Sequence, residues 1–296
     1  MDHDNASPVR GPVQALVAAA IALALAENCT PVLAAGVRLE TELSLERDDN
    51  PARAEAGQGA AAELVQTLSV RGARSQLLDE RSGWVLHGEA NLRKHDRYHA
   101  LDELEVGGGA VYRIQPEVAY TAPTYELALT LERSMRSGSA IRNVTRGVVA
   151  LSAGANLTDR LKANAAARFT RAVADTGTVA DQHERAVDLE CSYRFGQNRS
   201  LYARGSLARG DQMFSSSVME RGSPGVDAEA ADPAFGANFT AYRSKALTRM
   251  AELGVFIPST GRQGWNIWAR AIHSVADSGA TYSTLKWGVD WRYQLN

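Results

Sequence analysis

Apolar and polar residues alternate through most of the chain after residue 36, short and long connections follow one another between the alternating segments, and aromatic residues gather at one end of them. Together these predict an all-β fold, an antiparallel up-and-down transmembrane β-barrel of about twelve strands.

Composition narrows the class first. The 296 residues are 45% hydrophobic and 22% charged, with a formal net charge of -2. That is too apolar for a disordered chain and too neutral for a protein that grips nucleic-acid phosphates. Outside the N-terminal segment no apolar run approaches the roughly 18 residues of a spanning helix, which excludes a helical bundle. Residues 13–26 are rich in Ala, Leu and Val, follow Arg10 and precede Pro31 and the small pair Ala34-Ala35. This is the order of a secretory signal peptide, despite Asp2 and Asp4 near its start, with cleavage after Ala26 or Ala34. Residues 1–34 are thus the expected leader and 35–296 the barrel domain. Cys29 falls in or beside the leader and Cys191 stands alone, so no disulfide is expected.

The strands follow in order. In 37–46, Val37, Leu39, Leu43 and Leu45 oppose Arg38, Glu40, Glu42 and Glu46, a period of two that gives a strand two unlike faces. The next segment, 63–78, begins in a run that also suits a helical turn. Further strands are expected at 83–93, 103–114, 124–133, 147–157 and 161–172. In 184–195, Val187, Leu189, Cys191, Tyr193 and Phe195 share one face. The series closes with 200–209, 246–257, 264–274 and 280–295. The last is the clearest: Leu285, Trp287, Val289, Trp291, Tyr293 and Leu295 oppose Lys286, Gly288, Asp290, Arg292 and Gln294. Even-to-odd connections are short turns, apart from 115–123 with its two prolines. Odd-to-even ones are long, and the longest spans 210–245, opened by a turn at Gly210-Asp211. Short turns at one end and long loops at the other are the habit of a membrane barrel. Trp84, Tyr112, Tyr125, Tyr193, Phe195, Trp265, Trp291 and Tyr293 all fall at the short-turn rim on the apolar face, as an interfacial girdle does.

The end of the chain, Lys286-x-Gly288-x-x-Trp291-x-Tyr293, resembles the C-terminal insertion signal of bacterial outer-membrane β-barrel proteins. The resemblance covers eight residues. It implies residence in the outer membrane and a last strand read by the barrel-assembly machinery. Many members end on the aromatic itself, whereas Gln294-Leu295-Asn296 follow here.

No motif carries catalysis. His95 and His99 lie in a long loop without a partner acid, so no metal site is expected, nor any cofactor. Outer-membrane phospholipase A uses a His and a Ser two apart on one face, whereas His273 and Ser274 are adjacent and point oppositely. A rim protease would need acidic and His-Asp pairs, for which Asp48-Asp49 and His95-Asp96 are the candidates. Gly107-Gly108-Gly109 mark a bulge or a close approach inside a strand.

The inward faces hold the functional residues. By parity these are Arg38, Arg71, Glu89, Arg93, Glu105, Arg113, Lys162, Arg168, Asp188, Glu190, Arg194, Arg204, Arg270, Lys286, Asp290 and Arg292. If they pair across the interior the barrel is a plugged anchor. If they line water it is a porin-like channel for small solutes, and the basic excess of this set gives a mild anion preference. The channel is the favoured reading, without enzymatic activity. The alternatives are a non-conducting barrel acting through loop 210–245 and a rim protease or lipid-modifying enzyme. Five arginines share the outward parity, Arg47, Arg133, Arg171, Arg209 and Arg249, and all are placed at extracellular strand ends. There the expected partners are membrane lipid and the phosphates of lipopolysaccharide.

Overall fold

The computed structural model describes residues 36–54, 61–196, 199–218 and 222–295, so the expected leader and its cleavage sites lie outside the described residues. The elements are β1 (Val37–Asp48), β2 (Glu63–Leu77), β3 (Ser82–His95), β4 (Glu103–Ile114), β5 (Thr124–Arg136), β6 (Val144–Asn156), β7 (Leu161–Ala174), β8 (Gln182–Phe195), β9 (Arg199–Ser216), β10 (Ala228–Ala231), β11 (Thr240–Pro258), β12 (Gln263–Ala276) and β13 (Thr281–Gln294). Two single 3-10 turns, His99–Leu101 and Ala140–Arg142, lie in the long loops.

Each strand pairs antiparallel with its neighbour, and β9 pairs directly with β11. The ring closes where β13 meets β1, from Glu40 opposite Gln294 to Asp48 opposite Lys286. Twelve strands make the barrel. The thirteenth, β10, is a four-residue piece paired with the upper part of β11. All twelve strands read from the sequence are present, including the one at 63–78.

Side chains sort by parity as the alternation requires. Leu43, Leu45, Leu129, Leu131, Leu151, Leu189, Leu253, Ile267 and Leu285 stand exposed on the outer wall, a surface that only hydrocarbon covers favourably. Registers place the aromatic residues at the short-turn rim: Trp84 is opposite Tyr112 and Trp265 opposite Trp291. The Trp84 and Tyr112 rings are 5.0 Å apart, and those of Trp291 and Tyr293 stack at 5.9 Å. Asp79 organises the turn between β2 and β3. It accepts from the Arg81 and Ser82 amides, both at 2.7 Å, and from the Ser82 hydroxyl at 2.9 Å. The Arg81 amide first, then that hydroxyl, hold its carboxyl below the usual range. The turn is therefore firm at neutral pH and loosens only as acid protonates Asp79.

One expectation needs correction. The segment 210–245 is not all loop: β9 runs on to Ser216 and β11 begins at Thr240, so Gly210-Asp211 lie inside a strand and not in a turn. The two form a hairpin rising beyond its neighbours. Alternation misses it because 211–216 are buried on both faces, and a strand covered on both sides has no period of two. Gly107–Gly109 form no bulge either, for their pairing is continuous; a Cβ on Gly109 would meet the Leu129 carbonyl at 2.2 Å.

Inside the barrel, aromatic rings lie over cross-strand glycines. Tyr202 covers Gly254, Phe256 covers Gly264 and Trp268 covers Gly288. This gives Gly288 a packing role independent of any signal. A Cβ there would meet the Trp268 ring at 2.7 Å and the Leu45 carbonyl at 2.9 Å. Gly288→Ala is expected to cost about 1–3 kcal/mol through overpacking, measured as a fall in the denaturant midpoint of the detergent-folded barrel.

Candidate functional site

The candidate site is the lumen, together with the loops that cover its long-loop mouth. Its lining is charged but compensated. On the wall, Arg71 meets Glu89 at 3.2 Å and Glu42 at 3.9 Å, and Arg292 reaches the same Glu42 at 2.6 Å. Arg168 lies 3.2 Å from both Glu184 and Asp188. Arg204 meets Glu190 at 2.7 Å and Glu252 at 3.2 Å, and Arg270 closes on Glu252 at 2.6 Å. Lys286 holds Glu46 at 2.8 Å and Asp48 at 2.7 Å. Arg93 and Arg136 share Glu103 at 2.6 and 2.9 Å, and Arg113 meets Glu126 at 2.6 Å. Asp290 takes bonds from Ser44, Asn266 and the Trp268 indole. Each of these pairs joins adjacent strands of the ring, and the longest-reaching, Arg146 to Glu105 at 3.8 Å, spans only β4 to β6. The charges therefore run around the wall and not across it.

The sequence reading placed Arg38, Arg71, Glu89, Arg93, Glu105, Arg113, Lys162, Arg168, Asp188, Glu190, Arg194, Arg204, Arg270, Lys286, Asp290 and Arg292 on inward faces, and their strands carry them there. It left out the acids that balance them: Glu40, Glu42, Glu46, Asp48, Glu103, Glu126, Glu132, Glu184 and Glu252, all of inward parity. The basic excess of the shorter set vanishes along the wall. Cations without a carboxylate are the exceptions. Lys162 has none among the described residues, and Arg194 donates only to the Asp159 carbonyl, at 2.7 Å. Lys162 borders a polar hollow of about 280 Å³ at the short-turn mouth, with Arg113, Glu126, Ser152, Asn156 and Asn164.

The long-loop mouth is covered. Asp232, in the loop after β10, is fully buried and takes the Arg142 guanidinium at 2.5 Å; Arg142 also donates to Ser215 at 2.8 Å. Phe235 packs on Tyr98, Phe239 and the Arg142 guanidinium, beside Leu101, Ala52 and Ala54. The 232–239 segment thus reaches from the β9–β11 hairpin to the loop between β3 and β4, on the far side of the ring. Beneath it lies a chamber of about 500 Å³. Its lining includes Thr130, Thr170, Gln182, Gln212, Thr248, Tyr282 and Thr284, beside the pairs at Arg168 and Lys286.

On the outer wall the five arginines divide. Arg133 is bound to Asp175 and to Thr145 at 2.9 Å, and Arg209 grips Asp277 with two contacts of 2.7 Å. Arg47, Arg171 and Arg249 are exposed and have no carboxylate partner among the described residues. Arg185, which parity alone would have added, is opposite Arg209 on the same face. Because β9 and β11 extend upward, Arg209 and Arg249 lie within their strands and not at strand ends.

The residues considered for catalysis have structural partners. Asp49 accepts from the Leu285 amide, Asp96 from the Leu64 amide, and His95 Nδ1 lies 2.9 Å from Glu63. His273 Nδ1 meets Ser283 Oγ at 3.0 Å on the outer face, a cross-strand pair with no carboxylate to orient the ring among the described residues. No group of three His, Cys, Asp or Glu suited to a metal occurs among them.

No family model matches the sequence, and no curated protein matches it. Solved structures do. An outer membrane channel from Pseudomonas putida F1 aligns with a TM-score of 0.57 at 9% identity, over 88% of this chain and 96% of that one. Looser likenesses join the KdgM porin, at 12% identity and 0.40 over 87% and 99%, and the anion-selective porin from Comamonas acidovorans, at 10% and 0.42 over 88% and 99%. At these identities the likeness is one of fold.

Glu252 is a buried carboxylate that holds Arg270 and shares Arg204 with Glu190. Glu252→Ala is expected to cost about 1–3 kcal/mol in unfolding free energy, the loss of hydrogen bonds between charged groups. Refolding yield and urea midpoint in detergent check this.

Proposed function

We propose that the protein is an outer-membrane channel for small polar solutes, with a mild anion preference set at the short-turn mouth. One observation carries the reading: the charges of the wall pair with strand neighbours and not across the lumen, which holds a chamber of about 500 Å³ with polar lining. Twelve strands make a ring wide enough for such a lining, whereas about eight would be filled by their own side chains. The anion preference now rests on Lys162 and Arg194, which pair with no carboxylate among the described residues, and not on the balanced wall. The surface-interaction reading loses support, because the described part of the β9–β11 connection folds over the mouth. The last strand, with Trp291 and Tyr293 stacked outward, suits the role of assembly signal that its resemblance implies.

The test is single-channel recording in planar bilayers with protein whose gel mobility changes on boiling. Discrete conductance is expected, with a reversal potential on the anion side. Lys162→Glu combined with Arg194→Glu should carry it towards cations by several-fold in permeability ratio. Well-folded protein that passes no current would end the channel reading.

We also propose that Arg47, Arg171, Arg185 and Arg249 bind anionic headgroups of the outer leaflet, lipopolysaccharide phosphates above all, while Arg133 and Arg209 serve internal pairs. Guanidinium and phosphate match as bidentate partners, and arginine near the interface costs only about 0–1 kcal/mol against roughly 2–4 at the midplane. Changing Arg171, Arg185 and Arg249 to Glu should reduce lipopolysaccharide co-purification and lower stability in native membranes, with little change in neutral detergent. An equal loss in both media would mean that these arginines are structural.

A further inference from the structure

We infer that Arg53 binds an anionic group of the solute, a carboxylate or a phosphate, at the extracellular throat of the lumen; this rests on the channel reading and names its recognition site.

The backbone gives the first indication. Arg53 has a φ of 55°, and it is the one residue other than glycine with positive φ among the described residues. An unbranched L side chain holds that conformation only when its surroundings enforce it, and such strain gathers at functional positions. The enforcement is visible. Asn50 clamps the turn from both sides, its amide oxygen accepting from Ala54 N at 3.0 Å and its amide nitrogen donating to the Ala54 carbonyl at 2.7 Å. Arg53 N donates to the Asn50 carbonyl at 3.0 Å, and the Ala52 carbonyl takes the Ser215 amide at 2.9 Å, from the β9 hairpin. Ala52 and Ala54 are buried while the arginine between them is exposed.

The charge gives the second. Nearby lumen cations are committed to carboxylates, as Arg168 is to Glu184 and Lys286 to Asp48. Among the described residues Arg53 has no carboxylate; it donates to Gln212 Oε1 at 3.1 Å. Gln212 is fixed in that orientation, since its own amide nitrogen donates to Glu184 at 3.0 Å. A guanidinium has five N–H donors, so most of those on Arg53 are unspent, in a fork that suits two acceptor oxygens of one anion.

Position gives the third. Arg53 and Tyr282 border both the chamber of about 500 Å³ and an outer hollow of about 400 Å³ formed with the Ser278–Ala280 turn. The unspent cation therefore stands where the outer hollow meets the chamber. A neutral solute would need no such residue, and a purely structural arginine would not sit exposed on a strained backbone.

The test is equilibrium binding of inorganic phosphate by titration calorimetry, using the full chain refolded in detergent and checked by heat-dependent gel mobility. Wild type should bind. Arg53→Gln should weaken binding about tenfold or more, the loss of a charge-assisted contact. Arg53→Gly should weaken it equally and raise the unfolding temperature, because glycine accepts positive φ without strain. Arg262→Gln, which removes the same charge from a distant turn, should bind as wild type does. Equal affinity in wild type and Arg53→Gln, or no binding by folded wild type, overturns the inference. Binding does not require conduction: Arg53-dependent binding in a barrel that passes no current would overturn the channel reading alone, and conduction with Arg53-independent binding would overturn this one alone.

Discussion

Everything in this molecule depends on the pairing of β13 with β1. An unpaired backbone N–H or C=O facing hydrocarbon costs several kcal/mol, so a sheet spans a bilayer only when it has no edge. The register from Glu40–Gln294 to Asp48–Lys286 removes the last edge and fixes the number of strands in the ring. Once the ring is closed, parity is obligatory: every outward residue meets lipid and every inward one meets the lumen. The Leu-rich wall and the charged lining are two consequences of one hydrogen-bonding constraint.

The lining in turn follows from the width of the ring. In so wide a barrel an arginine does not reach a carboxylate on the opposite wall, so its partner must come from a neighbouring strand. Register supplies these partners: Glu252 is opposite both Arg204 and Arg270, and Glu190 is opposite Arg204. Where the lining is uncharged, glycine takes the inward position and a cross-strand ring folds over it, as Trp268 does over Gly288. Both devices tie the wall to itself.

The barrel was legible because a lipid-facing wall writes itself as a period of two, and the twelve segments so marked are the twelve strands of the ring. The parity of each named lumen residue follows from the same period of two. Their charge balance is not legible this way, because Glu252 or Glu103 shows its importance only when register sets two cations beside it. The mouth was illegible for a different reason. Residues 211–216, covered on both faces, lose the period, and the meeting of Asp232 with Arg142 joins positions that no local pattern relates. Arg53 offered no signal at all, since it lies in a connecting segment and its distinction is a backbone angle.

A wall so thoroughly paired makes its exceptions informative. If charges existed here only to stabilise the barrel, each cation would have an acid opposite, as Arg71, Arg168, Arg204 and Arg270 do. Among the described residues, the inward cations that break the rule are not scattered. Arg53 stands between the outer hollow and the chamber, and Lys162 and Arg194 stand towards the opposite mouth. Between them lies the compensated belt, which presents a moving ion with alternating charge at short range and little net field. On the channel reading proposed above, an anion would be attracted at either end and held in the middle by neither sign. The pattern of pairing, more than the number of arginines, decides where along the lumen a positive charge is left uncompensated.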